Sequence, residues 1–544
     1  MTTRWRRAGR ALVARDRGSH FVNRSILMQL RIAAALVAIA GSRASASTAG
    51  SCPELARLAL PNTRITLAQV VPAGNFPIPA AATVSRFPPQ LAVARQAVQN
   101  LPAFCRVTAE INPVEDSDIQ IEVWMPVTGW NRKLVGVGNG AFAGGIRYDE
   151  LGPALRQGYA VASNNTGHDG GGADASFGLG HPEKVIDYGY RAAHEMTVKA
   201  RALVEAFYGR PAERAYWDGC SAGGRQGLME AQRFPDDYDA IVAGAPATNH
   251  TQVMVAEAWA GRATHSTPAS YIPRALYAVI HKAALDACDA QDGLKDGLID
   301  DPRYCHFDPG VLLCPAGESA GCLTAAQVEA VRRIYAGPTN PRTGEQISPG
   351  LEPGSEMLWS RDAGTPPAPI AVSAFKYLVF GDTTWDLRSL DFDRDVALAD
   401  RLLGRVVNAT DPNLEPFIGR GGKLLLYHGW SDQAIPPLST VDYYERVVKA
   451  VSSARARDAV RLFMVPGMQH CVGGDGPDHF DALAALDSWV ETGKAPERIV
   501  AAKVVAGRTV RTRPLCPFPQ VARYTGTGSI DDAANFLCAA PTIR

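Results

Sequence analysis

The run Ala215-Tyr216-Trp217-Asp218-Gly219-Cys220-Ser221-Ala222-Gly223 constrains this chain more than any other stretch. A short apolar strand runs into Gly-x-Ser-x-Gly, and an amphipathic helix continues from about Ala222 to Arg233. This is the setting of a nucleophile elbow, in which a serine occupies a strained strand-to-helix turn and only small neighbours fit around it. Five-residue matches also arise by chance, and a plain glycine-rich turn is the rival reading. The strand before and the helix after favour the elbow. The start of such a helix would also aim the Ala222 N–H at an oxyanion.

The surroundings extend the pattern. Ile119–Trp124, Lys133–Val137, Gly158–Ser163 and Ala240–Ala243 read as short strands. Arg191–Tyr208 carries Ala193, Met196, Ala200, Leu203, Val204 and Phe207 at helical spacing. Strand and helix alternate, which predicts an α/β fold with a parallel sheet covered by helices on both faces. The alternation stops after Pro246. Residues 249–405, rich in Pro, Gly and Trp, are too many for a structureless loop and read as an inserted lid domain. Strands return at Lys423–Tyr427 and Val460–Val465, with a helix over Asp478–Glu491. The expected organisation is a leader (1–46), a first part of the catalytic core (47–248), the lid (249–405) and a second part of the core (406–544).

On an elbow fold the acid and then the histidine come after the serine along the chain. Asp432 lies just past the Lys423–Tyr427 strand and His470 just past Val460–Val465. Both are at strand C-terminal ends, where open α/β sheets meet ligands. His470 is expected to take the Ser221 proton and Asp432 to fix its tautomer. His428 and His479 are rival bases, and Asp475 and Asp478 rival acids; His479 reads as a surface residue and His428 as a core or pocket histidine. Cys220 precedes the serine and Cys471 comes directly after the histidine, so if Ser221 and His470 meet, the cysteines come within disulfide reach. Cys220 as the nucleophile is disfavoured, because Ser221 holds the apex and an exported thiol oxidises.

Export is itself an expectation. Arg31 precedes the apolar run Ile32–Ala40, too short to span a bilayer, and Ala44-Ser45-Ala46 offers a cleavage pattern, with Met28 an alternative start. Ten cysteines, an even number without CxxC or zinc-finger spacing, fit disulfides in a secreted or periplasmic protein. Basic and acidic residues balance at 55 each, so nothing asks for nucleic acid or an anionic membrane.

Gly219-Cys220-Ser221-Ala222-Gly223-Gly224-Arg225, Tyr427-His428-Gly429-Trp430-Ser431-Asp432 and Gly467-Met468-Gln469-His470-Cys471 resemble the motifs of the tannase/feruloyl esterase family, which includes the mono(2-hydroxyethyl) terephthalate hydrolases. The likeness extends through Phe234–Pro246 and Thr512–Pro517. It implies an α/β-hydrolase fold with a large lid, acting on a small-molecule ester of an aromatic (hydroxycinnamic or gallic) acid, and leaves the oligomeric state open. It also implies the pairs Cys220–Cys471, Cys52–Cys105, Cys288–Cys305, Cys314–Cys322 and Cys516–Cys538. The second oxyanion donor is expected from Gly138-Asn139-Gly140-Ala141, with Ala141 where the family usually has glycine.

Asp289, Asp292 and Asp296, interleaved with Gly293 and Gly297, lack EF-hand spacing and by composition alone suggest a solvated acidic turn. The resemblance instead implies a structural Ca2+ site made by these carboxylates and the carbonyls of Leu294 and Leu298. Phe375, Tyr377, Phe380 and Trp385 are candidates for an aromatic pocket, with lid core as the equal alternative for each. In the terephthalate-monoester hydrolases a lid arginine grips the free carboxylate, and Phe375 stands at what looks like the corresponding place. His428 and Phe375 are therefore the substrate-binding candidates, and feruloyl or galloyl esters are favoured over a terephthalate monoester. Two other classes compete: a silent binding module on a hydrolase fold, and a metal-dependent hydrolase. The intact triad disfavours the first, and the absence of histidine from the acidic loop disfavours the second.

Overall fold

The computed structural model describes residues 50–79, 88–316 and 321–541 of the protein. The expected leader (1–46), with Arg31, Ala44-Ser45-Ala46 and Met28, lies outside them. Nine strands form the main sheet: β1 (Thr63–Val71), β2 (Phe104–Ile111), β3 (Ile119–Pro126), β4 (Lys133–Val137), β5 (Ala160–Asn164), β6 (Arg214–Cys220), β7 (Ala240–Gly244), β8 (Lys423–Gly429) and β9 (Val460–Val465). Their order is β1-β2-β3-β5-β4-β6-β7-β8-β9. From β5 to β9 every pairing is parallel. The pairings β1–β2, β2–β3 and β3–β5 are antiparallel, so the expected all-parallel sheet is instead mixed, with an antiparallel edge. The connections are consistent with this. Parallel neighbours need a long crossover, usually a helix, as between β4 and β5 and between β6 and β7. The loop 112–118 between β2 and β3 is too short for one, so β3 must return antiparallel.

The central positions of the parallel strands are mostly apolar because both faces are covered. Trp217, Ile241, Leu424 and Leu426 point to one side, where Met196, Ala200 and Leu203 of the helix Ala192–Tyr208 meet Leu228 and Met229 of the helix Ala222–Arg233. Tyr216, Val242, Leu425 and Phe463 point to the other, against Leu151 and Leu155 of Tyr148–Arg156 and Leu483, Leu486 and Trp489 of Ala482–Thr492. Two-sided burial of this kind is what the runs Ala240–Ala243 and Val460–Val465 encode.

The last of these helices starts later than its expected position at Asp478. The Asp478 and His479 amides donate to the Ala502 carbonyl, and Ala502 returns a bond to His479. The helix therefore begins at Ala482, with the Asp481 side chain accepting the Ala484 N–H at 2.8 Å.

Residues 249–405 fold into helices, chiefly His250–His265, Arg274–Cys288, Ala325–Ala336 and Arg394–Val407. One apolar cluster belongs to this segment alone and includes Tyr277, Ile280, Val331 and Trp359. A second is shared, with Phe142 and Tyr188 packing among Met254, Phe375, Leu390 and Leu403. This segment, expected to form a lid, therefore shares a core with residues 142–188. After Thr492 the chain adds two hairpins, Ile499–Val505 with Arg508–Leu515 and Val521–Tyr524 with Phe536–Ala539. Among the described residues no helix is long and apolar enough to cross a membrane.

Candidate active site

β6 ends at Cys220, and Ser221 turns the chain into the helix Ala222–Arg233 with φ 64° and ψ −123°. A non-glycine residue in this region is strained, and the structure holds it by bonding the Ser221 N–H to the Gly244 carbonyl at 2.9 Å. The turn needs Gly219: a Cβ there would lie 2.6 Å from the Gly223 carbonyl carbon. The elbow read from sequence is present.

The ends of β8 and β9 bring the other two residues to it. His470 Nε2 is 2.9 Å from Ser221 Oγ, and His470 Nδ1 is 2.7 Å from Asp432 Oδ2. Asp432 is 0% exposed. Its Oδ1 accepts the N–H groups of Ala434 (2.7 Å) and Ile435 (2.9 Å), while Oδ2 lies between His470 and His428. Burial disfavours the charge on Asp432, but His470 and His428 outweigh it and hold the carboxyl well below the usual carboxylate range. A carboxylate opposite Nδ1 puts the His470 proton on Nδ1 and leaves the Nε2 lone pair toward the serine hydroxyl.

His428 does not line the site, which corrects its expected place among the substrate-binding residues. It is 0% exposed, because the register of β8 points it at the helix Pro437–Val451. Nδ1 meets Thr440 Oγ1 at 2.7 Å, and Nε2 faces both Asp432 Oδ2 (3.0 Å) and the Ile435 carbonyl (3.1 Å). Two acceptors at Nε2 fix the proton there, so His428 is a second donor to the buried acid. The rival base His479 is half-exposed and pairs with Asp478 at 3.1 Å, and Asp475 pairs with His281 at 2.9 Å. His281 also bonds Glu356 at 2.8 Å. Burial opposes its charge, yet the two carboxylates raise its pKa to about 9, so an ion pair ties the lid to the loop that carries His470.

One backbone donor and one loop lie at the turn. Ala222 is the first residue of its helix and its N–H has no intrahelical acceptor. Gly138 packs backbone to backbone on Gly223, where a Cβ would lie 3.0 Å from Gly138 Cα, so the 138–141 loop lies against the elbow. Ala141 adopts φ 45°, which a glycine would hold without strain; its carbonyl accepts from Tyr188 Oη at 3.0 Å.

All five expected disulfides are present, including Cys220–Cys471 with Cα atoms 6.0 Å apart. That bond joins the residue before the serine to the residue after the histidine and closes a span of 251 residues. In the chain-entropy model it contributes roughly 5.5 kcal/mol. Replacing both cysteines by alanine is expected to lower the melting temperature and remove most activity, because the His470 loop loses its tether to the elbow. Calorimetry and steady-state assays of the double variant check this; full activity in it would refute the tether.

Phe375 also departs from expectation. It is 0% exposed and opens a π-helical turn, Phe375–Phe380, that directs it into the lid core, stacked 5.4 Å from Trp385. It is a packing residue, and an arginine there would bury a guanidinium among apolar side chains. A lid cation that carries no motif to mark it is Arg361. It donates to Asp362 Oδ2 at 2.6 Å and Glu257 Oε1 at 2.8 Å, and its charge is felt at Asp432. Both carboxylates line a small cavity with Gln433, whose side chain accepts the His470 N–H at 3.3 Å.

The acidic loop is compact. Asp289 accepts the N–H groups of Asp296 (2.9 Å) and Gly297 (3.1 Å), while Gly293 and Gly297 take left-handed φ values of 93° and 83°. Asp292 and Leu294 open onto a cavity of about 470 Å³ that Asp300 and Asp301 also line. Asp296 is bonded to Arg513 at 2.5 Å, which joins the loop to the hairpin of Ile499–Val505 and Arg508–Leu515. Asp289, Asp292 and Asp296 do not bring one ligand atom each within 4.8 Å of one another, and Asp296 is turned to Arg513, so the expected ligand set is not gathered in this conformation.

A family model described as tannase and feruloyl esterase matches residues 105–539. An uncharacterized esterase of Xanthomonas campestris pv. campestris is 42% identical, over 92% of this chain and 93% of its own. Mono(2-hydroxyethyl) terephthalate hydrolase of Piscinibacter sakaiensis is 34% identical, over 81% of this chain and 85% of its own. The crystal structure of feruloyl esterase B from Aspergillus oryzae superposes with a TM-score of 0.82 at 30% identity, covering 90% of this chain and 99% of that one. A match that spans the elbow, the acid, the histidine and the lid leaves one conclusion: the chain belongs to the tannase and feruloyl esterase family.

Proposed function

We propose that this chain is an exported serine esterase that cleaves esters of neutral phenolic acids, hydroxycinnamic or gallic, through an acyl-enzyme. The observation that carries the chemistry is the continuous relay from Ser221 through His470 to a buried, ionised Asp432 at the elbow. Ser221 Oγ attacks the ester carbonyl carbon as His470 Nε2 takes its proton. The carbonyl oxygen gains the charge and accepts the N–H groups of Ala222 and Ala141. His470 then protonates the leaving alcohol, the C–O bond breaks, and the acyl group stays on Ser221. Water attacks that ester, His470 takes its proton and returns it to Ser221, and the acid departs. Asp432 stabilises the imidazolium at each stage without taking the proton. The five disulfides support an oxidising compartment.

The charge arrangement favours a neutral acyl group. Arg361 is already shared by Asp362 and Glu257, so a carboxylate brought beside it meets two like charges. Burying an unpaired charge costs several kcal/mol. Ethyl ferulate or methyl gallate is therefore expected to exceed a terephthalate monoester in kcat/KM by about tenfold or more. A panel of the three esters tests this; preference for the terephthalate monoester would overturn the substrate assignment and leave the esterase mechanism standing.

The same reading includes a calcium ion held by Asp289, Asp292 and Asp296 with the carbonyls of Leu294 and Leu298. It would brace the loop that contacts Arg513 of the strand Arg508–Leu515. Chelation is expected to lower the melting temperature and leave turnover at low temperature largely intact, since a ligand of the folded state stabilises by mass action. Immediate loss of turnover in still-folded protein would show a catalytic ion instead.

A further inference from the structure

A second cluster lies on the far end of the nucleophile helix, where the ester chemistry has no use for it. Glu230 is in the third turn of Ala222–Arg233, is 1% exposed, and neither of its carboxylate oxygens has a hydrogen-bond partner. Asp237 stands in the turn before β7, and His194 projects from the helix Ala192–Tyr208. One ligand atom from each of the three lies within 4.8 Å of the other two. His194 Nδ1 bonds Asp237 Oδ2 at 2.6 Å, and the ring is fixed by stacking on Phe234 at 3.8 Å.

The electrostatics are unbalanced. Among the described residues no Lys or Arg pairs with either carboxylate; Arg201 reaches the main-chain carbonyl of Asp237 and not its side chain. A buried carboxylate with neither cation nor hydrogen bond is among the costliest groups a core can hold. We propose that His194, Glu230 and Asp237 bind a first-row divalent cation of the zinc or manganese type. One imidazole with two carboxylates is a donor set for such ions, whereas calcium takes oxygens alone. Bonds of about 2.0–2.2 Å place neighbouring ligands roughly 3.5 Å apart, so His194 and Asp237 need part by about 1 Å from their 2.6 Å hydrogen bond while Glu230 closes by about 1 Å at most. His194 is 29% exposed through its side chain, which gives the ion an entry and room for water as a further ligand.

The site is structural. At a rise of 1.5 Å per residue, Glu230 lies roughly 13 Å along the helix from Ser221. An ion there would join the helix that carries the nucleophile to its neighbour and to the turn that leads into β7. It would steady the elbow from behind without touching substrate.

The test uses the full protein, stripped of metal and returned to buffer with calcium kept saturating. Zinc at a hundredfold over its dissociation constant is expected to raise the melting temperature by about 2–3 °C. Cobalt(II) is expected to give a ligand-field absorption spectrum. Both responses should vanish in Glu230→Gln, which keeps the shape and removes the charge, and in the more exposed variant His194→Gln. If Glu230 and Asp237 share a proton instead, zinc produces no shift, cobalt no spectrum, and Glu230→Gln melts no lower than wild type. That result overturns the proposal, as does a metal response that survives in both variants.

Discussion

Ser221→Ala is expected to lower kcat/KM for an aromatic ester by at least about 10⁴-fold, with the fold and melting temperature nearly unchanged. The relay sets the size of the loss. Without Oγ, His470 has no proton to take, and neither the oxyanion donors nor the buried Asp432 can form the acyl-enzyme. The fold should survive because serine and alanine tolerate the 64° φ angle equally poorly, and the strain is held by the Ser221 N–H bond to Gly244, which alanine keeps. Steady-state kinetics beside circular dichroism checks both halves. Activity within tenfold of wild type would remove Ser221 from the mechanism, and a silent binding module would make the wild type equally inactive.

Asp432→Asn is expected to cost about 10⁴-fold in kcat, the scale seen when the acid of a serine triad is made an amide. Here the orientation of the amide is dictated by the surroundings. The N–H groups of Ala434 and Ile435 demand an oxygen at the Oδ1 position, so the NH2 group must occupy the place of Oδ2. It then donates toward His470 Nδ1 and His428 Nε2, both of which carry protons in the wild type. His470 is driven to the tautomer with its proton on Nε2, facing Ser221, where it cannot serve as a base. His428 must also shift its proton to Nδ1, which leaves the Ile435 carbonyl without its donor. Loss of stability is expected beside loss of rate, and a calorimetric scan with a pH–rate profile separates the two. A variant that keeps more than a tenth of wild-type kcat would contradict the role given to Asp432.

The catalytic half of the chain was legible for physical reasons. Strands buried on both faces must be mostly apolar, so Ala215–Trp217, β7, Leu424–Leu426 and Leu462–Val465 stand out as short apolar runs, and site residues follow β6, β8 and β9. The cysteines beside Ser221 and His470 added a distance constraint that spacing alone lacks. The antiparallel edge was harder, because β1 is half-exposed and its apolar positions are scattered along Thr63–Val71. The hairpin joining Ile499–Val505 to Arg508–Leu515 hid behind its turn, where Ala506 takes φ 50° at a position that usually signals itself as Asn or Gly. Phe375 and His428 were misplaced because motif proximity gives no facing. A π-helical turn directs one into the lid core, and strand register directs the other toward Thr440. Glu257 meets the adjacent pair Arg361 and Asp362 only in three dimensions, and it has no charged neighbour in sequence to mark it.

The proposed mechanism rests on one claim, that Ser221, activated by His470, carries the acyl group. The most direct test is to trap the enzyme with an aryl phosphonate that forms a covalent adduct with activated serines, then to locate the adduct by intact mass and peptide mapping. One adduct per chain is expected, on the peptide containing Ser221, forming at the rate at which activity is lost and blocked by ethyl ferulate. Full loss of activity with the label on another residue, or a labelled Ser221 in protein that still turns over ester, would contradict that role.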